Sequence, residues 1–564
     1  MSKIDQPNTY TGITIGPIIR TLLDSRSTKA IWAASYLFSW IMKKLMDQIV
    51  AADESAEFLL PYRSGKVDDS LRAGLYPDRC VVKGDFSKLL ANARTEILDE
   101  LATKAAKNLS DRNQTQHQFT EYYEHTSLKE QIHHYLQDYL RIAFICTEVA
   151  TCRRPVDELT TLLNSAELST KLLTAADSNF LSHLLEDVFY NFLVKEKYHG
   201  DFKYFPSTAE IASYGFYGQP AYLEAQKILR DAEGLKNSGP KEEDAQIRFY
   251  KQLKNDPRKL YRNHHKYMAI VQADGDSFGQ IIRAIEHVDN PVEAGQRFSI
   301  QLNVFLSEAV RAIQDWNAVP VYGSGDDLMF FAPVAKSPAG EGDTVPVIFD
   351  LITQIDELFA DYVLKDPLLS KVVAHLRSAQ QPVPSMSYGI SITYYKYPLS
   401  ESLQKAHFNL DQKAKKLPCK NAVFFRVATH SGQYFETGFR KNQIVFQHFK
   451  DLIRTMPNES ILRSVSYKLE SLAPLLHAIG TEKDDVDGGL FNLFKNHFDE
   501  DVHLRPDGSL TPYLQKVLKL LQEIYRLNPL AENSTQQNND NIQQLYATLR
   551  FAAFIHNKED RDDH

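Results

Sequence analysis

Polar and apolar residues alternate in Tyr10-Thr-Gly-Ile-Thr-Ile-Gly-Pro-Ile18, the two-residue period of a strand, and the pattern stops at Gly16-Pro17. The strongly apolar stretch Ala30–Met42 then predicts a helix in which Ser35 and Ser39 fall four apart on one face, and Glu57–Tyr62 reads as a further strand. From 86 to 235 the spacing turns helical, with apolar stripes over 86–107, 128–149 and 181–195. Ser207 with Glu210 is a helix-capping signature, and the polar, broken segment 236–244 reads as a boundary. Residues 262–430 predict strand 266–274, helix 294–316, hairpin strands 318–324 and 328–334, helix 346–364, strand 385–393, helix 399–416 and strand 421–427. Such a βαββαβ order predicts a ferredoxin-like palm, with 336–342 as a surface loop. Beyond it, 442–456, 459–479, 489–497, 512–527 and 541–554 show helical periodicity, 533–540 reads as a polar loop and 557–564 as a charged tail. The fold class expected is α+β with several domains.

Composition narrows the classes. The 564 residues are enough for several domains, and a 43% apolar content is ordinary for a globular core. No apolar run reaches the roughly 18 residues of a membrane span, and the start carries no charged-then-apolar signal pattern. A cytoplasmic protein without membrane contact is expected. The formal charge of −8 argues against autonomous nucleic-acid binding, so RNA contact would need local basic patches or a partner carrying the RNA. The basic run Arg258–Lys266 reads as a solvated linker, with His264 and His265 as surface residues. Four scattered cysteines, Cys80, Cys146, Cys152 and Cys419, form no CxxC pair; a reducing compartment and no cysteine zinc site are expected.

The chemistry concentrates in two places. In Val319–Ala332 two β-type runs flank Gly323-Ser-Gly325, and Asp326 and Asp327 follow the turn. Upstream, the strand Tyr267–Ala273 ends in Asp274-Gly275-Asp276. Carboxylates are costly to gather unless they are paired or bound to a cation, and oxygen ligands of this kind suit Mg²⁺ or Mn²⁺. Gly275 would let the backbone approach a metal or phosphate closely. A carboxylate ending one strand beside a carboxylate pair on a hairpin makes a two-metal site, as in palm-type nucleotidyl transferases and cyclases. The plainer readings are a solvated hairpin tip and, for Asp276, a helix N-cap. Tyr388 and Gly389 read as core positions on a central strand.

Taken together, Tyr10–Ile18, Trp32–Ser39, Phe205–Ala212, Ala273–Gly279 and Gly323–Leu328 resemble, in order, the large polymerase-like subunit of type III CRISPR effector complexes, in the Cmr (III-B) branch. The resemblance implies two ferredoxin-like, nucleotide cyclase-like palms. On that reading 1–85 is a degenerate N-terminal palm with room for further strands beyond it, 86–260 a mainly helical domain with linker, 261–432 the catalytic palm and 433–564 a C-terminal helical bundle. It implies a target-RNA-activated nucleotidyl transferase that makes cyclic oligoadenylates from ATP with two Mg²⁺ or Mn²⁺ ions. The partners implied are other Cmr subunits, crRNA and target RNA. Asp274, Asp326 and Asp327 are the implied catalytic residues, holding metal together with the Gly275 carbonyl. Asp276, Ser277, Ser324, Gly325, Lys415, Lys420 and Ser35 are the implied nucleotide-binding residues, with 62–69 as a further part of the degenerate palm's pocket. Alternatives are the same chemistry joining ATP to S-adenosylmethionine, a stand-alone nucleotide cyclase, and a structural subunit with an inactive site. Two features depart from the family pattern. Ser324 replaces the first glycine of Gly-Gly-Asp-Asp, and a type I turn is expected to accommodate it. No His-Asp pair occurs, so the HD DNase domain is expected to be absent, and no zinc is expected.

Overall fold

A computed structural model of the chain describes residues 8–61, 71, 73–110, 127–150, 154–168, 181, 184–198, 205–233, 241–285, 287–288, 290–337, 344–454, 468–469, 471–481, 485–497, 511–528 and 535–556. The expected pocket segment 62–69 and the tail 557–564 lie outside these residues.

Two sheets organise the molecule. The first has the order β2-β3-β1-β4, from β1 (Asn8–Gly16), β2 (Phe58–Leu60), β3 (Arg79–Lys83) and β4 (Arg141–Val149), all antiparallel. Its β4 corrects the sequence reading, which ran a helix to Val149. The helix Leu128–Tyr139 stops, and Arg141–Val149 pairs along the whole of β1 as an edge strand. Most of β4 is half-buried, so it lacks the alternation that marks a strand with one face in the core. Strand β4 is thus a further strand of the N-terminal unit beyond residue 85, for which the sequence reading left room. The helix Thr28–Ala52, capped by Ser27, packs its apolar residues into a core shared with the helices Ser87–Ser110 and Leu128–Tyr139.

The second sheet has six strands in the order β10-β9-β8-β5-β7-β6: β5 (Tyr267–Asp276), β6 (Val319–Ser324), β7 (Asp327–Pro333), β8 (Ser385–Tyr394), β9 (Ala422–Ala428) and β10 (Tyr434–Arg440). All pairs are antiparallel except β8 with β9, which the helical crossover 399–416 joins in parallel. The palm order expected from sequence is present. Strand β10 was missed; it extends the sheet past residue 432, into the segment assigned to the bundle.

Both faces of the second sheet are covered. Ala269, Val271 and Ala273 pack toward the helices Pro291–Asp315 and Ile348–Phe359, while Met268 and Ile270 pack toward the N-terminal unit. Burial on two sides explains why β5 reads as a continuous apolar run rather than an alternating one. The C-terminal helices Ile444–Arg454, Ala473–Thr481, Val486–His497, Pro512–Leu527 and Thr535–His556 share the first of these cores, where Phe349, Phe425, Phe449 and Phe551 meet. The last helix begins at Thr535, within the segment expected to be a loop, and Lys241–Lys254 is helical although 236–244 read as broken. No helix among the described residues is long and apolar enough to cross a membrane.

His264 and His265 are not surface residues. They are 2% and 1% exposed, in a short turn clamped between the first unit and the last helix. His264 Nδ1 donates to the Ile555 carbonyl at 2.9 Å, and the His265 ring lies 4.4 Å from the Phe216 ring at a tilt of 48°. The apolar partners lie far away in sequence, which hid the burial.

Candidate active site

Strand β5 carries Asp274 at its end, and the β6–β7 hairpin brings Asp326 and Asp327 beside it. The two-residue turn is Gly325-Asp326, closed by the Ser324–Asp327 pair. Gly325 has φ +64°, so the left-handed conformation falls on the first central residue, the pattern of a type II′ hairpin rather than the type I turn expected. Ser324 is the last strand residue, where no special backbone angle is needed. Gly275 is also required by its neighbours within the chain. A Cβ there would lie 2.7 Å from the Asp326 Cβ and overlap the Phe278 ring, so glycine lets these side chains approach the backbone.

One carboxylate oxygen from each of Asp274, Asp326 and Asp327 lies within 4.8 Å of the others. Burial, and then the neighbouring Asp274, push the Asp326 carboxyl up to about 6. Asp327 is reachable by solvent yet set in a concave wall; burial, followed by Asp274 and Asp326, raises it well above the ordinary value. Burial also raises Asp274, against the opposing pull of Lys415. The Lys415 ammonium sits on Asp274 Oδ2, so the cluster already attracts a cation. Three convergent hard oxygen donors fit Mg²⁺ or Mn²⁺.

Lys415 is delivered by the crossover from β8. Asn409 Nδ2 donates to the Ile390 carbonyl at 2.8 Å, and a Cβ on Gly389 would sit 2.7 Å from the Leu410 Cα, so only glycine lets the helical turns lie this close to β8. Tyr388 is fully buried, the core position expected, and its hydroxyl donates to Asp356. Cys419, Lys420 and Asn421 then follow with φ of +63°, +51° and +48°.

A cavity opens on each side of the carboxylates. One, of about 650 Å³, is lined by Gly275, Ser277, Arg283, Asp326, Lys415 and Lys420. The other, of about 350 Å³, is lined by Ser35, Asp78, Asp274, Ser324, Asp327 and Asp411. Ser277 holds φ +62°, an unusual angle for serine. The second cavity lies between the two sheets. Gly74 forms a parallel bridge with Tyr322 on the edge strand β6; Ser35 Oγ donates to the Val321 carbonyl at 3.1 Å, and Ser39 Oγ accepts from the Leu75 and Tyr76 N–H groups. The first unit thus braces the hairpin.

Asp276 is the expected site residue that the structure does not bring to the cluster. It is 1% exposed and does not cap the following helix; its Oδ2 accepts from Ser385 and Ser387 hydroxyls and from the Asn421 N–H, tying β5 to β8 and β9. The sequence reading missed Asp78, Arg283, His407 and Asp411. His407, Asp411 and Lys415 are four apart, a spacing visible in the chain, but nothing local says that this face meets β5.

Comparison with known proteins adds the following. The family described as Cas10/Cmr2, second palm domain, matches residues 267–424, and the family described as CRISPR-associated protein Cmr2, N-terminal, matches residues 10–137. The CRISPR system Cmr subunit Cmr2 of Pyrococcus furiosus is 26% identical over 208 residues, which cover 33% of this chain and 20% of that protein's length. A type III-B Cmr-beta structure in the apo state aligns with a TM-score of 0.51 and 11% identity, over 93% of this chain and 82% of the other. The same assembly bound to cognate target RNA aligns at 0.52 and 12%, over 93% and 83%. At these identities the structural likeness speaks for the fold.

Proposed function

The chain belongs to the Cas10/Cmr2 family, and on that premise we propose that it is the large subunit of a type III-B CRISPR complex, in which Asp274, Asp326 and Asp327 serve the joining of ATP molecules into cyclic oligoadenylates when target RNA is bound. The observation that carries this reading is the position of the three carboxylates between two cavities, each bordered by at least one of them.

In this arrangement one ATP lies in the cavity of Lys415, Lys420 and Arg283, whose cations face its phosphates. A second nucleotide lies in the cavity of Ser35 and Ser324 and presents its 3′-hydroxyl. The 3′-oxygen forms a new bond to the α-phosphorus. The bond from that phosphorus to the α,β-bridging oxygen breaks, and pyrophosphate leaves with the electron pair while the hydroxyl proton passes to water. Divalent ions held by Asp274, Asp326 and Asp327 would supply neutralisation of triphosphate charge and a lower pKa for the hydroxyl. Ser277 and Gly325 shape the backbone around the donor, and Asp276 holds β5 in place behind them.

The test is mass spectrometry of the products of the assembled complex given ATP, Mg²⁺ or Mn²⁺ and target RNA, with and without S-adenosylmethionine. Cyclic oligoadenylates from ATP alone are expected, and they should vanish in the Asp326→Ala, Asp327→Ala double variant while assembly is retained. A product that appears only with S-adenosylmethionine would replace the substrate assignment. Unchanged synthesis by the double variant would overturn the site.

A further inference from the structure

The helical turns from Leu399 to Lys416 carry His407, Asp411 and Lys415 past the catalytic end of β5, and each contacts the next. Asp411 divides its two oxygens. Its Oδ2 is 3.2 Å from His407 Nε2, and its Oδ1 is 4.0 Å from Lys415 Nζ. The other ring nitrogen, His407 Nδ1, is 3.2 Å from Gln272 Oε1, while Gln272 Nε2 faces Met329 Sδ at 3.8 Å. Lys415 meanwhile rests on Asp274 Oδ2. Its ammonium therefore stands between a carboxylate inside the triad and a carboxylate outside it.

A divalent cation at the triad would draw on the Asp274 carboxylate that Lys415 engages, and the two positive charges repel. Lysine carries its charge on a flexible four-carbon stem, so it can change carboxylates without backbone movement. Asp411 is already within 4.0 Å, and His407, backed by Gln272, keeps it from turning away. We infer that Asp411 is a positioning residue: it receives Lys415 when the triad takes up a divalent cation, freeing Asp274 and holding the lysine at the edge of the cavity where phosphate would lie. This inference rests on the metal-site reading above. It assigns a role to Asp411 and His407, which touch neither the triad oxygens nor the larger cavity's wall.

The test is Mn²⁺ binding to the full chain, measured by calorimetry without nucleotide. Lys415→Met should bind Mn²⁺ about five-fold more tightly than the parent, since a competing, partly exposed ion pair is gone. Asp411→Asn should bind about as much more weakly, because Lys415 then has no second seat. Combining the two should reproduce Lys415→Met alone. Lys415→Arg, which keeps the charge and grips Asp274 with a two-pronged donor, should weaken binding and guards against a folding defect in the Met variant. Equal affinity in Lys415→Met and the parent, or independent effects of the two substitutions, would overturn the exchange alone. Binding indifferent to Asp326→Ala would overturn the metal site, and the exchange with it.

Discussion

The backbone N–H of Gly275 donates to the carbonyl of Asp326 at 3.1 Å, so the tip of the hairpin is joined to the end of the neighbouring strand at the point where the carboxylates converge. The same glycine has no room for a methyl group, with the Asp326 Cβ 2.7 Å from where a Cβ would stand. Gly275→Ala should therefore part β5 from the hairpin tip. Overpacking of this kind costs about 1–3 kcal/mol, and a displacement near 1 Å at a reacting centre lowers turnover by about a hundred-fold. Nucleotide product and denaturation midpoint should both fall. Gly295→Ala, in a helix where the added methyl meets nothing within 4 Å, should leave both unchanged or raise the midpoint.

A second ion pair lies at the wall of a further cavity, with Lys441 buried and Asp356 half-buried. Lys441 donates to both oxygens of Asp356 at 2.6 and 2.5 Å, with the Tyr388 hydroxyl on the same carboxylate at 2.9 Å. Burial raises the Asp356 carboxyl and lowers the Lys441 ammonium, so each group depends on the other for its charge. Lys441→Met leaves a half-buried, uncompensated carboxylate and should cost about 1–3 kcal/mol in chemical denaturation. Adding Asp356→Asn should restore part of the loss. An unchanged midpoint in the single variant would show that the pair is solvated.

The buried histidines make the fold acid-sensitive. Burial holds His265 at about 3 and His264 well below the ordinary histidine value. A depressed histidine pKa means that the unfolded chain takes up protons first. The stability is complete above about 6.5 and is lost as pH falls from there toward the folded value. At pH 5.5 the expected loss is roughly 1.4 kcal/mol for each histidine relative to pH 8. His265→Gln should remove about half of the combined pH dependence between 8 and 5.5; a dependence unaltered by that change would place the proton uptake elsewhere.

The palm was legible because its strands are apolar and bounded by turn residues, and because Asp274, Asp326 and Asp327 sit at strand ends where packing gives no reason for carboxylates. Strand β4 was not legible, since Arg141–Val149 follows a helix without a breaker and is mostly half-buried at a sheet edge. Strand β10 was hidden by Glu436 and Arg440, whose neighbours on β9 are known only once the two strands pair. Asp276 looked like a helix cap by position, but Ser385, Ser387 and Asn421, more than 100 residues on, claim its oxygen. His407 and Asp411 acquire meaning only through Gly389, which sets how near their helical turns come to β8. Local chemistry could be read from spacing; the partners of a charged group, set by tertiary packing, could not.

The triad itself should trade stability for chemistry. Asp326 has a folded value of about 6 against 3.8 for the free carboxyl, with burial as the first cause and Asp274 as the second. A raised carboxyl pKa means that the folded chain binds the proton more tightly than the unfolded chain. Stability therefore falls as pH rises from about 4 to about 6, and above that the ionised group weakens the metal-free fold. Asp326→Asn removes the charge while nearly keeping the shape. In EDTA at pH 7.5 it should stabilise the chain by about 1–2 kcal/mol, and at pH 4.5, where the folded parent's carboxyl is largely protonated, the difference should shrink to about one third of that. Added Mn²⁺ should raise the parent's melting temperature and do much less for the variant, because a ligand that binds only the folded state stabilises it in proportion to its affinity. Equal melting temperatures for the two proteins in EDTA at pH 7.5 would mean that Asp326 is neither crowded by Asp274 nor withdrawn from water.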